Sequence, residues 1–271
     1  MNADQLYAHM RRKKSFLCVG LDSDMQKLPA CVRRGESPLF AFNRAIVEAT
    51  APFAVAYKPN VAFYEAQGAE GWRQLEATVR YIRRQAPGTL IIADAKRGDI
   101  GNTSRLYAEA FFKRMDVDAV TLSPYMGRDT VQPFLEYPGR WAALLALTSN
   151  PSASDFEALP LASGRKLYEQ VLATSAAWGT ADNTMYVVGA TQAAMLADIR
   201  RLVPEHFLLV PGVGAQGGSL HEVATHGLNR RCGLLVNASR SILYADGGEK
   251  FAAAAGEQAR EMQRQMAAYL Q

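Results

Sequence analysis

Residues 91 to 103 read IIADAKRGDIGNT, an apolar, β-branched run that ends with Asp94, Lys96 and Asp99 inside six positions. In a regular strand, side chains two apart share a face, so Asp94 and Lys96 point the same way. Asp99 falls beyond the strand, where Gly98 and Gly101 allow a sharp change of direction. Three opposing charges this close are costly if they only fill a core. A lysine in such company can serve as a Schiff-base nucleophile, a general acid or a counter-charge. Carboxylates around it favour the ammonium form, which suits delivery of a proton where negative charge develops on carbon. An acid such as Asp99, if it faces a substrate carboxylate, repels it, and the repulsion is relieved once CO₂ leaves.

These residues need a scaffold, and the rest of the chain supplies one. Short apolar runs recur at 16–21, 53–58, 89–96, 118–123, 141–149, 185–190, 207–212 and 232–239, which makes eight candidate strands. Nearly continuous apolar runs of this kind mark a parallel sheet covered on both faces. Between them, 40–49, 71–85, 103–114, 163–178 and 191–201 carry helical periodicity, and 249–269 is rich in good helix formers. The alternation predicts a closed (β/α)8 TIM barrel, a single domain over residues 1–271 with a short N-terminal helical extension. An open doubly wound sheet is the alternative, but no GxGxxG follows the first strand.

Catalytic groups of a barrel collect at the C-terminal ends of its strands. Asp22, Lys58, Asp94 with Lys96, Ser123 and Ser149 all end or follow strands, and closure brings them to one mouth. After strand 7 comes PGVGAQGG (211–218), and after strand 8 comes NASRSI (237–242). Loops in these two places form the usual phosphate site of such barrels. Gly212 and Gly214 let backbone N–H groups turn toward an anion, with Ser239 in the second loop. Arg240 supplies a fork suited to phosphate oxygens, and Gln216 could bridge phosphate and another part of the ligand. Asn60 reads as support at the mouth, and Asn102 as a cap for the helix starting near Thr103. The polar stretch 150–160 is long enough to cover a site and, with 212–218, is a candidate moving part.

Composition narrows the partners. A formal charge of +4 with short, scattered basic clusters gives no stripe for nucleic acid. No apolar run approaches the ~20 residues of a membrane span, and no signal peptide opens the chain. Cys18, Cys31 and Cys232 lack metal-ligand spacing and are odd in number, which fits a reducing cytoplasm. His9, His206, His221 and His226 form no convincing ligand set.

DAKRGDIGNT resembles the Asp-x-Lys-x-x-Asp signature, with its following Thr, of the orotidine 5'-phosphate decarboxylase family in its longer subfamily. GLD around Asp22, YKPN around Lys58, TSNP around Ser149, PGVGAQGG and NASRSI extend the resemblance over nearly the full length. It implies decarboxylation of orotidine 5'-monophosphate to uridine 5'-monophosphate in de novo pyrimidine synthesis, with no metal and no organic cofactor. It also implies that Lys96 protonates C6 of the pyrimidine while held between Asp94 and Asp99. Asp22 and Lys58 would hold the ribose hydroxyls, Ser149 the ring, Gln216 base and phosphate together, and Arg240 the phosphate. By the same resemblance, Asp99 and Thr103 reach into the neighbouring site of a homodimer. Related Mg²⁺-dependent sugar-phosphate decarboxylases and hexulose-phosphate synthases share a similar motif and are the alternative, followed by a non-enzymatic phosphate-binding module.

Overall fold

Eight apolar runs become eight parallel strands, β1 (Leu17–Leu21), β2 (Ala54–Pro59), β3 (Leu90–Arg97), β4 (Ala119–Leu122), β5 (Trp141–Leu147), β6 (Thr184–Val188), β7 (Phe207–Pro211) and β8 (Leu234–Ala238). The computed structural model describes residues 1–190, 193–213 and 218–270. The strands close in sequence order, β8 pairing back onto β1, as the sequence predicts. Every residue of β1, β2, β4, β6 and β8 is buried, because helices cover the sheet outside and side chains fill it inside.

The longer helices follow the expected segments with small shifts at their ends. Two helices that the periodicity does not announce, Arg128–Leu135 and Leu220–Gly227, complete the alternation. Both span about two turns, and the first carries Pro133 inside it, so neither shows a sustained 3.6-residue pattern. The helix after β3 begins at Gly101 with Ile100 as its cap residue, so Asn102 lies within the first turn and is not the cap. Residues 191–192, expected to open a helix, lie outside the described residues; the helix described there is Ala193–Leu202.

Helix Ala3–Lys13 crosses the N-terminal ends of the strands, away from the mouth. Lys13 Nζ donates to Ala51 O and Ala54 O at 2.7 and 2.6 Å, and Trp141 Nε1 donates to Met1 O at 2.8 Å. At the other end, a buried polar network braces the end of β1. Ser23 Oγ donates to Asn43 Oδ1 at 2.6 Å, Asn43 Nδ2 to Tyr64 Oη at 2.9 Å, and Tyr64 Oη to Leu21 O at 3.1 Å. Tyr244 Oη donates to Asp22 O and accepts from Asp24 N, both at 2.8 Å. Satisfied networks of this kind rigidify what they hold, and here they hold the backbone of Asp22.

The strand carrying the motif is not regular. Ala93 pairs with Val120 and Arg97 with Leu122, so β3 takes four steps where β4 takes two. The two extra residues make a bulge over Asp94–Lys96, and Lys96 sits in the left-handed region with φ 46°. Simple alternation therefore does not describe how Asp94 and Lys96 come to the same cavity; a bulge re-aims the lysine.

Candidate active site

Four ionisable side chains meet at the C-terminal mouth. Lys58 Nζ lies 2.7 Å from Asp94 Oδ2 and 4.0 Å from Asp22 Oδ1, and Lys96 Nζ lies 2.6 Å from Asp94 Oδ1. Asp94 is thus shared by two lysines, one oxygen each. Its side chain is 11% exposed and that of Lys58 5%, whereas Lys96 is 51% exposed toward the open mouth. Burial works against the charge on Asp94, yet Lys58 and Lys96 hold its carboxyl well below the usual carboxylate range. Burial also opposes the charge on Lys58, and Asp94 with Asp22 outweighs it, raising this amine above an ordinary lysine. The pair is a fixed ionic platform for the exposed ammonium-bearing side chain beside it.

Two cavities share Lys58, Asp94, Lys96, Ser149 and Pro211. One, of about 270 Å³, is polar and runs past Asp22, Asn60 and Asn237 to Gly212, Ser239 and Arg240. The other, of about 230 Å³, is walled by Leu145, Val187, Leu209 and Thr121. A ligand filling both would have an anionic, hydroxyl-rich half and a less polar half. Missing side chains make room at two places. A Cβ on Gly20 would collide with Ser239 Oγ, and one on Gly189 would come within 2.7 Å of Ser149 Cβ. Both glycines let strand-end residues of neighbouring loops pack against the barrel wall.

The sequence-derived residues divide into four groups. Asp22, Lys58, Asp94, Lys96, Ser149, Gly212, Ser239 and Arg240 line the shared cavities. Asp99 and Thr103 do not: the Asp99 carboxylate accepts from Ile100 N at 2.7 Å, and Thr103 lies on the exposed face of helix Gly101–Glu109. Gly214 and Gln216 lie outside the described residues. Ser123 follows β4 and lines a separate, apolar cavity of about 480 Å³ beside Tyr125, Phe156 and Tyr168.

Three residues at the site escape a reading by motif. Thr121 is the one polar residue of its short strand, buried beside Asp94, and its type reads simply as a strand former. Asn237 sits inside NASRSI, and its Oδ1 and Asp22 Oδ1 are buried acceptors without a hydrogen-bond partner among the described residues. Thr148 donates its backbone N–H to Glu157 Oε2 at 2.6 Å, tying the polar loop after β5 to the strand that leads to Ser149. Among the described residues no three His, Cys, Asp or Glu side chains gather as a metal site requires, and no helix is long and apolar enough to cross a membrane.

A closed parallel barrel with its charged cluster at the C-terminal mouth defines a (β/α)8 enzyme scaffold. Comparison with known proteins narrows the class. The family model described as orotidine 5'-phosphate decarboxylase / HUMPS matches residues 15–255, and the chain belongs to that family. It is 56% identical over 266 residues to an orotidine 5'-phosphate decarboxylase of Phocaeicola vulgatus, covering 98% of each chain. It is 57% identical over 270 residues to that of Parabacteroides distasonis, covering 100% of this chain and 96% of the relative. Among solved structures, Leishmania donovani OMP decarboxylase matches with TM-score 0.82 at 36% identity, covering 98% and 99% of the two chains. A Plasmodium berghei structure at 19% identity and TM-score 0.79, covering 97% and 99%, bears on the fold alone.

Proposed function

We infer that this protein decarboxylates orotidine 5'-monophosphate to uridine 5'-monophosphate, the reaction named for its relatives at 56–57% identity. The observation that carries it is Lys96 Nζ, 2.6 Å from Asp94 and open to a cavity that ends at Arg240. The reaction breaks the bond between C6 and its carboxylate, and the electron pair stays on C6. The ring delocalises that pair poorly, so a preorganised positive group beside C6 lowers the barrier. Lys96 fits the task, passing a proton from Nζ to C6 as CO₂ departs. Asp94 and Lys58 hold that group in place before substrate arrives, which avoids reorganisation at the moment of reaction.

The remaining roles follow the chemistry of the lining. The buried open oxygen of Asp22 and the ammonium of Lys58 suit ribose hydroxyls. Ser149, between the two cavities, suits the pyrimidine ring; Arg240 with Gly212 and Ser239 suits the phosphate. Gln216 and Gly214 complete the phosphate side by family resemblance. Binding energy from the phosphate, remote from the reacting carbon, helps place the substrate for reaction. Asp99 and Thr103 are not among the residues lining this chain's two shared cavities, and Ile100 and Leu106 beside them are 52% and 58% exposed. This supports a homodimer in which the two polar residues complete the neighbouring site. Cys31 is a free, exposed thiol, in keeping with a reducing cytoplasm.

The deciding assay is CO₂ release from orotidine 5'-monophosphate after exhaustive chelation, with uridine 5'-monophosphate identified as product. Turnover is expected without added metal or cofactor. Activity that returns only with Mg²⁺ points to the sugar-phosphate branch of the family, and nucleotide binding without CO₂ release points to a binding module. Arg240→Ala should lower kcat/KM by on the order of 10- to 100-fold, the scale of a charge-assisted contact. Ribose 5-phosphate should lose affinity in parallel; a mutant unchanged toward both ligands would remove Arg240 from the phosphate site.

A further inference from the structure

We propose that Thr121 is a positioning residue whose hydroxyl holds the β3 bulge in the geometry that aims Lys96 at the reacting carbon. The proposal rests on the decarboxylase reading above and deepens it.

A bulge leaves backbone groups without their ladder partners, and buried groups of that kind must find others. Each is found here. Asp94 O accepts from Val61 N at 3.2 Å, and Ala95 O accepts from Arg97 Nη1 at 2.9 Å. The Lys96 N–H, in the left-handed turn itself, donates to Thr121 Oγ1 at 2.9 Å. The hydroxyl's own proton goes to Asp94 Oδ1 at 3.0 Å, the same oxygen that lies 2.6 Å from Lys96 Nζ. One buried hydroxyl therefore ties the backbone of Lys96 to the carboxylate that orients its ammonium group.

The outer side of the bulge is held separately. The Arg97 guanidinium pairs with Glu65 and lies over the Tyr107 and Phe111 rings at 5.4 and 5.5 Å. Replacing Thr121 should leave this outer brace and the barrel intact while freeing the inner tie. Valine keeps the volume and β-branch but offers neither acceptor nor donor, so shape and hydrogen bonding separate cleanly. A non-glycine residue in the left-handed region stays there only while its surroundings hold it.

The test is steady-state kinetics on Thr121→Val, Thr121→Ala and Thr121→Ser, with uridine 5'-monophosphate affinity and thermal unfolding measured alongside. Thr121→Val should lower kcat by on the order of 30-fold or more with KM and product affinity within about threefold, and Thr121→Ser should return kcat to within about threefold of wild type. A Thr121→Val enzyme with wild-type kcat overturns the proposal. So does a rise in KM without a fall in kcat, which would make Thr121 a plain ligand contact. Thr121→Ser as impaired as Thr121→Val also overturns it, as does loss of folding and product binding in both the valine and alanine variants. Wild-type protein that releases no CO₂ would instead overturn the decarboxylase reading, independently of any variant.

Discussion

Lys96→Ala is expected to lower kcat by roughly 1,000-fold or more, within the range that general acid catalysis joined to electrostatic stabilisation spans. The variant removes a proton donor and a positive group where charge on carbon is greatest. It leaves the Lys58–Asp94 pair, 2.7 Å apart and nearly buried, so the floor of the site should persist. Arg240, Gly212 and Ser239 line the far end of the cavity and are also untouched. Affinity for uridine 5'-monophosphate should therefore change far less than turnover, a division that marks an interaction made chiefly in the transition state. Calorimetric binding beside single-turnover CO₂ release checks it. Near-normal turnover in purified Lys96→Ala would remove the lysine from the reaction.

Mixing Lys96→Ala chains with Asp99→Ala chains, each nearly inactive alone, should restore activity to roughly a quarter of the wild-type sites, because random pairing makes about half the dimers mixed and each mixed dimer has one intact composite site. The expectation comes from the position of Asp99, whose carboxylate turns to its own Ile100 N–H instead of to Lys96. The two defects then fall together in one site and leave the other complete. Native mass spectrometry must show that subunits exchange before the kinetics are read. Exchange without recovered activity would put both residues in one chain's site and leave any dimer without a catalytic role.

Much of the architecture is legible in the sequence because a parallel barrel has a loud signature. Runs such as FLCVGL and FLLVPG are almost wholly apolar, the pattern of strands covered on both faces. Helices with one polar face, such as Gly68–Gln85, declare themselves equally well. The short helices Arg128–Leu135 and Leu220–Gly227 do not, since two turns carry too few periodic positions. At the site, charged residues at strand ends stand out against their apolar background, and Asp22, Lys58, Asp94 and Lys96 come together at one cavity. Thr121 and Asn237 are hidden because neutral polar side chains look ordinary in or beside a strand; the meaning of Thr121 lies in partners some 25 residues away, and that of Asn237 in an oxygen left open at the cavity. The irregularity of β3 is likewise invisible. IIADAKRG reads as even alternation, and the departure from it depends on how β4 pairs alongside.

That departure makes the length of β3 as consequential as its composition. Four steps against two on the neighbouring strand leave a surplus of two residues, and Lys96 turns left-handed within that surplus. Losing one residue between Asp94 and Arg97 would shorten the excursion and change which side chain occupies the turn, even with every charged group retained. Substitutions act here one side chain at a time, whereas a single-codon deletion rewrites the register of the whole strand end. In a library of in-frame deletions, this stretch should therefore be a gap, bordered by surface loops that accept shortening. The protein positions Lys96 partly by counting.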